Sequence, residues 1–190
     1  MSGRPAQLPE LAQRSLAQAE ALGFSQSCTL ETGRLLQTLA SAVTDGVIGE
    51  LGAGCGFGTA WLASGLRPGV RLVTVERDAR QAAAVREVMH GLDAVTVLEG
   101  DWRDALRHGP FSLLFVDVSE AKNAAAAETI AALAPGGIAV LDDLTAEEYW
   151  PEEWRGKPDV LRELWLGHPA LCAAELRLNA RDRVILAVKR

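Results

Sequence analysis

The sequence predicts a doubly wound α/β fold, with one seven-stranded, mostly parallel sheet covered by helices on both faces. N-terminal helices precede the sheet and a C-terminal antiparallel hairpin closes it. Three observations carry this. From residue 46 onward, short β-branched runs alternate with helical stretches, the pattern of a parallel sheet with crossover helices. One run, residues 111–116, is almost wholly apolar, as expected of a central strand buried on both faces. The last two runs, 171–178 and 183–188, are joined by the turn-forming segment 179–182 and read as a hairpin.

Taken in order, residues 10–22 and 32–43 form two helical stretches separated by the polar segment 25–29, and they precede the sheet rather than build it. The first strand is 47–51, closed by the glycine-rich run 52–58. A helix over 59–66 ends at Gly65 and Pro68. The second strand is 71–75. Asp78 caps the next helix, whose Ala82, Val85, Val88 and Met89 recur at helical spacing, with Gly91 after its end. The third strand is 95–98 and the fourth is 111–116, ending on Asp117. Helix former 124–133 stops at Pro135-Gly136-Gly137, and the fifth strand, 138–141, ends on Asp142-Asp143. The organisation is one domain over 1–190, with 1–45 as a helical lid and 46–190 as the α/β core.

Composition narrows the function. The chain carries 19 Lys and Arg against 25 Asp and Glu, a formal charge of -6. That opposes nucleic acid as the partner, because phosphate binding is driven by clustered cations. No apolar run reaches the roughly 18 residues needed to cross a bilayer, and residues 1–7 lack the blocks of a secretory signal, so a cytoplasmic protein without a membrane partner is expected. Cys28, Cys55 and Cys172 are odd in number and far apart, which fits reduced, buried thiols better than disulfides or zinc. His90, His108 and His168 form no metal-binding pair.

Open parallel sheets bind ligands beyond the carboxyl ends of their strands, and the notable motifs lie there. The first strand runs into Glu50-Leu51-Gly52-Ala53-Gly54-Cys55-Gly56-Phe57-Gly58, with glycine at every second position. GxGxxG does not fit in either register, and no Gly-Lys-Ser/Thr of a P-loop follows. Glu76 ends the second strand, where a carboxylate can accept both hydroxyls of a ribose. The plainer readings are solvated strand ends for Glu50 and Glu76 and a helix N-cap for Asp101.

Glu50, Gly52, Gly54 and Gly56 in the spacing acidic-x-Gly-x-Gly-x-Gly, Glu76, and Glu99-Gly100-Asp101-Trp102 together resemble the class I S-adenosylmethionine (SAM) methyltransferases, over residues 46–190. The resemblance implies the Rossmann-like methyltransferase fold and SAM as cofactor. It implies that the glycine backbone approaches the methionine part, with Glu50 near its amino end. Glu76 would take the ribose, Asp101 the adenine amine, and Trp102 the face of the ring. The implied cofactor set is Glu50, Gly52, Ala53, Gly54, Gly56, Glu76, Arg77, Gly100, Asp101, Trp102 and Asp117.

Methyl transfer from a sulfonium is an in-line displacement, so the enzyme must align the acceptor and keep it deprotonated, by a general base or by a metal. Asp117, Asp142 and Asp143 bring hard oxygens to adjacent strand ends, a donor type suited to Mg²⁺ or another divalent cation. Val116-Asp117, Asp142-Asp143 and Glu31-Thr32-Gly33-Arg34-Leu35-Leu36 resemble elements of the metal-dependent small-molecule O-methyltransferases of the catechol and caffeoyl-CoA type. Two departures stand out. Asp143 replaces an expected Asn, and Glu120 stands where that subgroup has its lysine base, with Lys122 two residues further on. Asp117 and Lys122 are the catalytic candidates, and Lys122 also reads as an ordinary solvated lysine. Metal-assisted and metal-free chemistry both stay open. Trp150, Trp154 and Trp165, in the Pro-interrupted segment 145–169, suit an aromatic wall for the acceptor or the packing of a helix onto the sheet.

The leading expectation is a SAM-dependent methyltransferase acting on a small molecule, at oxygen, with a homodimer allowed. The alternatives are aminopropyl transfer in the manner of spermidine synthase and a non-catalytic SAM-binding domain.

Overall fold

The computed structural model of the chain describes residues 8–190, so the segment set against a secretory signal, 1–7, lies outside the described residues. Two helices, α1 (Glu10–Leu22) and α2 (Leu30–Ala42), lead into β1 (Val47–Leu51), α3 (Phe57–Ser64), β2 (Arg71–Glu76), α4 (Ala79–Val88), β3 (Val95–Glu99) and α5 (Trp102–Leu106). There follow β4 (Phe111–Val116), α6 (Ser119–Lys122), α7 (Ala126–Ala131), β5 (Leu133–Thr145), α8 (Val160–Gly167), β6 (Leu171–Arg177) and β7 (Asp182–Lys189). The strand order is β3-β2-β1-β4-β5-β7-β6. β7 is antiparallel to both neighbours, and every other pairing is parallel. Strand order reverses between β1 and β4, the switch point at which doubly wound sheets open a crevice.

Period-two alternation sorts the core into two layers. From β1, Val47 and Leu51 face one layer with Leu114 and Val116 of β4, against Trp102, Ile130 and Trp165 of the helices. Ile48, Leu113 and Phe115 face the other, against Leu36, Phe57, Trp61 and Val85. Thus α1–α4 cover one face and α5–α8 the other. Each fully buried Leu or Phe contributes about 1.5–3 kcal/mol by leaving water. Gly33 of α2 lies directly on the Trp61 indole, which a Cβ there would overlap, so glycine is what lets α2 and α3 approach.

Most boundaries agree with the sequence reading to within two residues, and three places differ. The helix expected over 124–133 is shortened to α7, with the separate turn α6 before it, and at its end Leu133 leaves the helix to pair with Phe111. β5 does not end at Leu141. Its parallel pairing with β4 stops there, but the strand continues along β7 through a register shift between Leu141 and Leu144, a bulge that lifts Asp142-Asp143 out of the ladder. All three cysteines are free, yet Cys172 is exposed on the edge strand β6, and only Cys55 is fully buried. Among the described residues no helix is long and apolar enough to cross a membrane.

Candidate active site

The loop after β1 sits over the switch point and is tied to both neighbouring strands. The backbone N–H groups of Gly52 and Ala53 donate to the Val75 carbonyl at 3.1 and 3.0 Å, and the Asp117 N–H donates to the Leu51 carbonyl at 2.9 Å. Gly52 has φ +89°, and a Cβ there would lie 2.9 Å from the Asp117 carbonyl oxygen. Gly54, at φ +53°, would meet the Phe24 ring at 2.8 Å. Glycine is therefore required by backbone angle and by crowding together.

This loop forms one wall of a cavity of about 720 Å³. Glu50, Gly52, Ala53, Gly54, Glu76, Arg77, Gly100, Asp101, Trp102 and Asp117 all line it. Gly56, expected among the cofactor contacts, does not. It caps α3 in the left-handed region and backs onto Val85, so its lack of a side chain serves helix packing. The sequence also missed the segment between α1 and α2, whose Phe24, Gln26, Ser27 and Cys28 line the cavity, with the Phe24 ring against Gly54. No periodicity or motif marks those residues, and chain reversal alone brings them there. Burial pushes the Cys28 thiol up, so it lines the cavity as a neutral group.

Glu50 is wholly buried and not a solvated strand end. Its Oε2 accepts from the hydroxyls of Thr59 and, at 2.6 Å, Thr74. Its Oε1 has no hydrogen-bond partner among the described residues. Burial pushes its carboxyl up to about 7, against the two threonine donors, which favour the charged form. Glu76 accepts from the backbone N–H of Gly54 and of Asp78, both at 2.8 Å, which leaves lone pairs for further donors. Asp101 caps α5 by accepting from the Arg103 N–H at 2.9 Å, as the plainer reading expects, and also lines the cavity. Trp102 is buried, with Arg103 4.3 Å above its ring and its indole N–H on Glu120 at 3.4 Å.

The strand-four and strand-five acids meet a buried cation. Lys122 Nζ donates to the Asp142 carbonyl at 2.9 Å and to Asp143 Oδ2 at 3.3 Å, and lies 3.7 Å from Asp117 Oδ1. Its side chain is 5% exposed, which overturns the solvated-lysine reading, and it lines neither cavity described here. Asp143 holds φ +62°, the left-handed conformation that Asp tolerates better than most residues. Asp142 Oδ1 accepts from Thr32 at 3.3 Å, which links the N-terminal Glu-x-Gly element to this cluster. Burial pushes Asp142 up to about 6. Burial and the Asp143 charge raise Asp117, while Asp143 is held below its ordinary range by the Lys122 ammonium, against the effect of burial.

The donor set of a divalent cation is not assembled. Among the described residues no three His, Cys, Asp or Glu side chains group so as to hold a metal ion. The oxygens of Asp117, Asp142 and Asp143 converge on the lysine.

A second cavity, of about 360 Å³, opens beyond the bulge, lined by Asp143, Trp150, Trp154, Lys157 and Arg162 among others. Trp150 and Trp154 thus line a cavity rather than pack a helix onto the sheet. Trp165 is fully buried, with its indole N–H on the Lys122 carbonyl at 2.7 Å, and packs α8 onto the sheet.

Comparison with known proteins agrees with this geometry. Residues 50–144 match the family model described as a methyltransferase domain. The catechol O-methyltransferase of Mycobacterium tuberculosis is 33% identical over 119 residues, covering 60% of this chain and 54% of that protein, so the chain spans about half the length of this curated relative. The O-methyltransferase from Bacillus cereus, solved in complex with S-adenosylhomocysteine (SAH), superposes with a TM-score of 0.81 at 25% identity, over 97% of this chain and 93% of that one. The O-methyltransferase TomG from Streptomyces achromogenes shares the fold at 20% identity, with a TM-score of 0.79 over 96% and 91% of the two chains. With half of its residues matched, a span that includes the glycine loop, Glu76 and the acids after β4 and β5, the chain belongs to the methyltransferase-domain family.

Proposed function

We propose that this chain is a SAM-dependent O-methyltransferase acting on a small-molecule acceptor. The observation that carries the proposal is Glu50 Oε1, a buried, unpaired carboxylate oxygen on the wall of a cavity at the sheet's switch point. An unsatisfied buried acceptor costs about 1–3 kcal/mol, and a cationic donor such as the amino group of SAM removes that cost. Glu76 and Asp101 supply acceptors for the ribose hydroxyls and the adenine amine, and Trp102 supplies a flat apolar surface. When bound, SAM supplies an electrophilic methyl on a sulfonium.

The chain's own work is orientation and proton handling. Asp117 lines the cavity beside the glycine loop with its carboxyl raised, so it is placed to take a proton from an acceptor hydroxyl when ionised. The Trp150 and Trp154 cavity, which Asp143 also lines, suits a small aromatic or apolar acceptor. All three cysteines are free thiols, which suits a reducing, cytoplasmic setting. Aminopropyl transfer gains no support from the relatives described, which are O-methyltransferases.

The test is calorimetric titration with SAH, wild type against Glu50→Gln, followed by methyl-transfer assays over a panel of phenols. Micromolar SAH binding weakened about tenfold in the variant, roughly one charged hydrogen bond, supports the proposal. Absence of SAH binding overturns it.

A further inference from the structure

We propose that Lys122 is a tethered cation occupying the seat that a divalent metal would need between the β4 and β5 acids, so that this enzyme works without a metal. The inference rests on the reading of the chain as an O-methyltransferase.

Four observations converge on it. A divalent cation requires several hard oxygens directed at one point, and here the Asp142 backbone carbonyl and Asp143 Oδ2 take hydrogen bonds from Nζ at 2.9 and 3.3 Å, with Asp117 Oδ1 paired to it at 3.7 Å, while the Asp142 carboxylate is turned to Thr32. The ammonium has three N–H donors and no acceptor, so it can satisfy these oxygens but cannot itself ligate a metal. Its place is fixed from both ends. The Lys122 N–H donates to the Val118 carbonyl at 3.1 Å, and the Lys122 carbonyl accepts the Trp165 indole at 2.7 Å, so the side chain rises from an anchored backbone. Asp143, the residue that departs from the subgroup's asparagine, is the one whose left-handed backbone presents its carboxylate to the lysine. An aspartate there gives the ammonium a charged partner that asparagine would not.

A second cation within a few ångströms of Nζ would be repelled by it and would find these oxygens already engaged. Lys122 lines neither cavity, so it acts through Asp117 and Asp143 as a positioning residue. It neutralises part of their charge and fixes Asp117 on the wall that faces the cofactor cavity, work that a bound metal would otherwise do.

The test is titration of the full-length protein with Mn²⁺ as probe, by calorimetry and electron paramagnetic resonance, with SAH affinity measured in parallel before and after chelator. The expected result is no Mn²⁺ site in wild type or in Lys122→Arg, and SAH affinity unchanged by chelator. Lys122→Met and Lys122→Met/Asp143→Asn are expected to acquire one Mn²⁺ site, about tenfold or more tighter than anything in wild type, the size of change usual for altering a metal's surroundings. One Mn²⁺ per wild-type chain, lost in Asp143→Ala, would overturn the proposal. So would a folded Lys122→Met that gains no site. If Lys122→Met does not fold, the wild-type titration still decides. Failure to bind SAH with or without Mn²⁺ would undo the functional reading and leave the Mn²⁺ result to judge the lysine.

Discussion

The two halves of the sheet's carboxyl edge treat charge in opposite ways. On the β1–β3 side, Glu50 is buried with an oxygen unpaired, and Glu76 keeps acceptor capacity toward an open cavity. On the β4–β5 side, buried Lys122 is bonded to the Asp142 carbonyl and to the exposed Asp143 carboxylate and is paired with Asp117, and the Asp142 carboxylate is bonded to Thr32. Because burying an unsatisfied polar group costs free energy, an orphaned acceptor marks the place where a ligand must complete the site. A self-satisfied cluster marks a place that the chain completes for itself. The first half is built to bind, and the second to hold its geometry whether or not anything is bound.

The comparison can be broken most directly at Lys122. Replacing it by Ala leaves the buried Asp142 carbonyl without its donor and the largely buried Asp117 without its cation, and is expected to cost about 1–3 kcal/mol of unfolding free energy, read by urea denaturation, while Asp143→Asn on that background, at an exposed side chain, changes it little. A loss below about 1 kcal/mol, the range of exposed pairs, would show that the cluster is not self-satisfied.

Glu50 should reveal its burial through pH. Its carboxyl titrates at about 7 in the folded chain against 4.5 in the unfolded one. The folded state therefore resists ionisation, and the contribution is fully present below about pH 4.5 and is lost as pH rises through about 7. At roughly 1.4 kcal/mol per unit this amounts to about 3 kcal/mol. Asp142, raised to about 6, adds with the same sign. Urea unfolding of the SAH-free protein across this range should show Glu50→Gln with a visibly flatter decline than wild type, and saturating SAH should oppose the decline. Parallel pH profiles for the two proteins would mean that Glu50 is not held in a low-dielectric site.

Gly52→Ala tests whether the binding half depends on backbone shape. A Cβ at φ +89°, 2.9 Å from the Asp117 carbonyl oxygen, is expected to cost about 1–3 kcal/mol in strain and to weaken SAH binding together with stability. The smallest effect is expected at Asp78, which caps α4 by accepting from the Arg80 and Gln81 N–H groups at 2.9 and 3.0 Å. Asp78→Ala should lower the melting temperature by an amount equivalent to about 1 kcal/mol, less than the loss expected of Gly52→Ala.

Local patterns were readable wherever one element determines its own state. The strands show as β-branched runs because each is buried within one sheet, Asp78 and Asp101 show as caps because they satisfy N–H groups two or three residues away, and the loop glycines show by their spacing. At Gly56, which backs onto Val85, spacing did not reveal which way the glycine faces. The bulge at Asp142-Asp143 was hidden because it arises from pairing β5 with two strands of opposite direction, one of them more than forty residues later in the chain. Phe24 to Cys28 carry no periodic signal, and their place beside the glycine loop comes from α1 and α2 packing on α3.

The amino-acid sequence by itself determined the doubly wound order of elements, the glycine loop and the row of acids at successive strand ends, since hydrophobic period, turn chemistry and strand length are local properties of the chain. Only the tertiary structure decided which of those acids is left unpaired and which is neutralised. Burial and partnership depend on groups brought together from distant segments: Thr59 and Thr74 around Glu50, and Lys122, Asp142 and Asp143 around Asp117. The free energy of a charge is fixed by those neighbours and by the water they exclude, and no single stretch of sequence contains them.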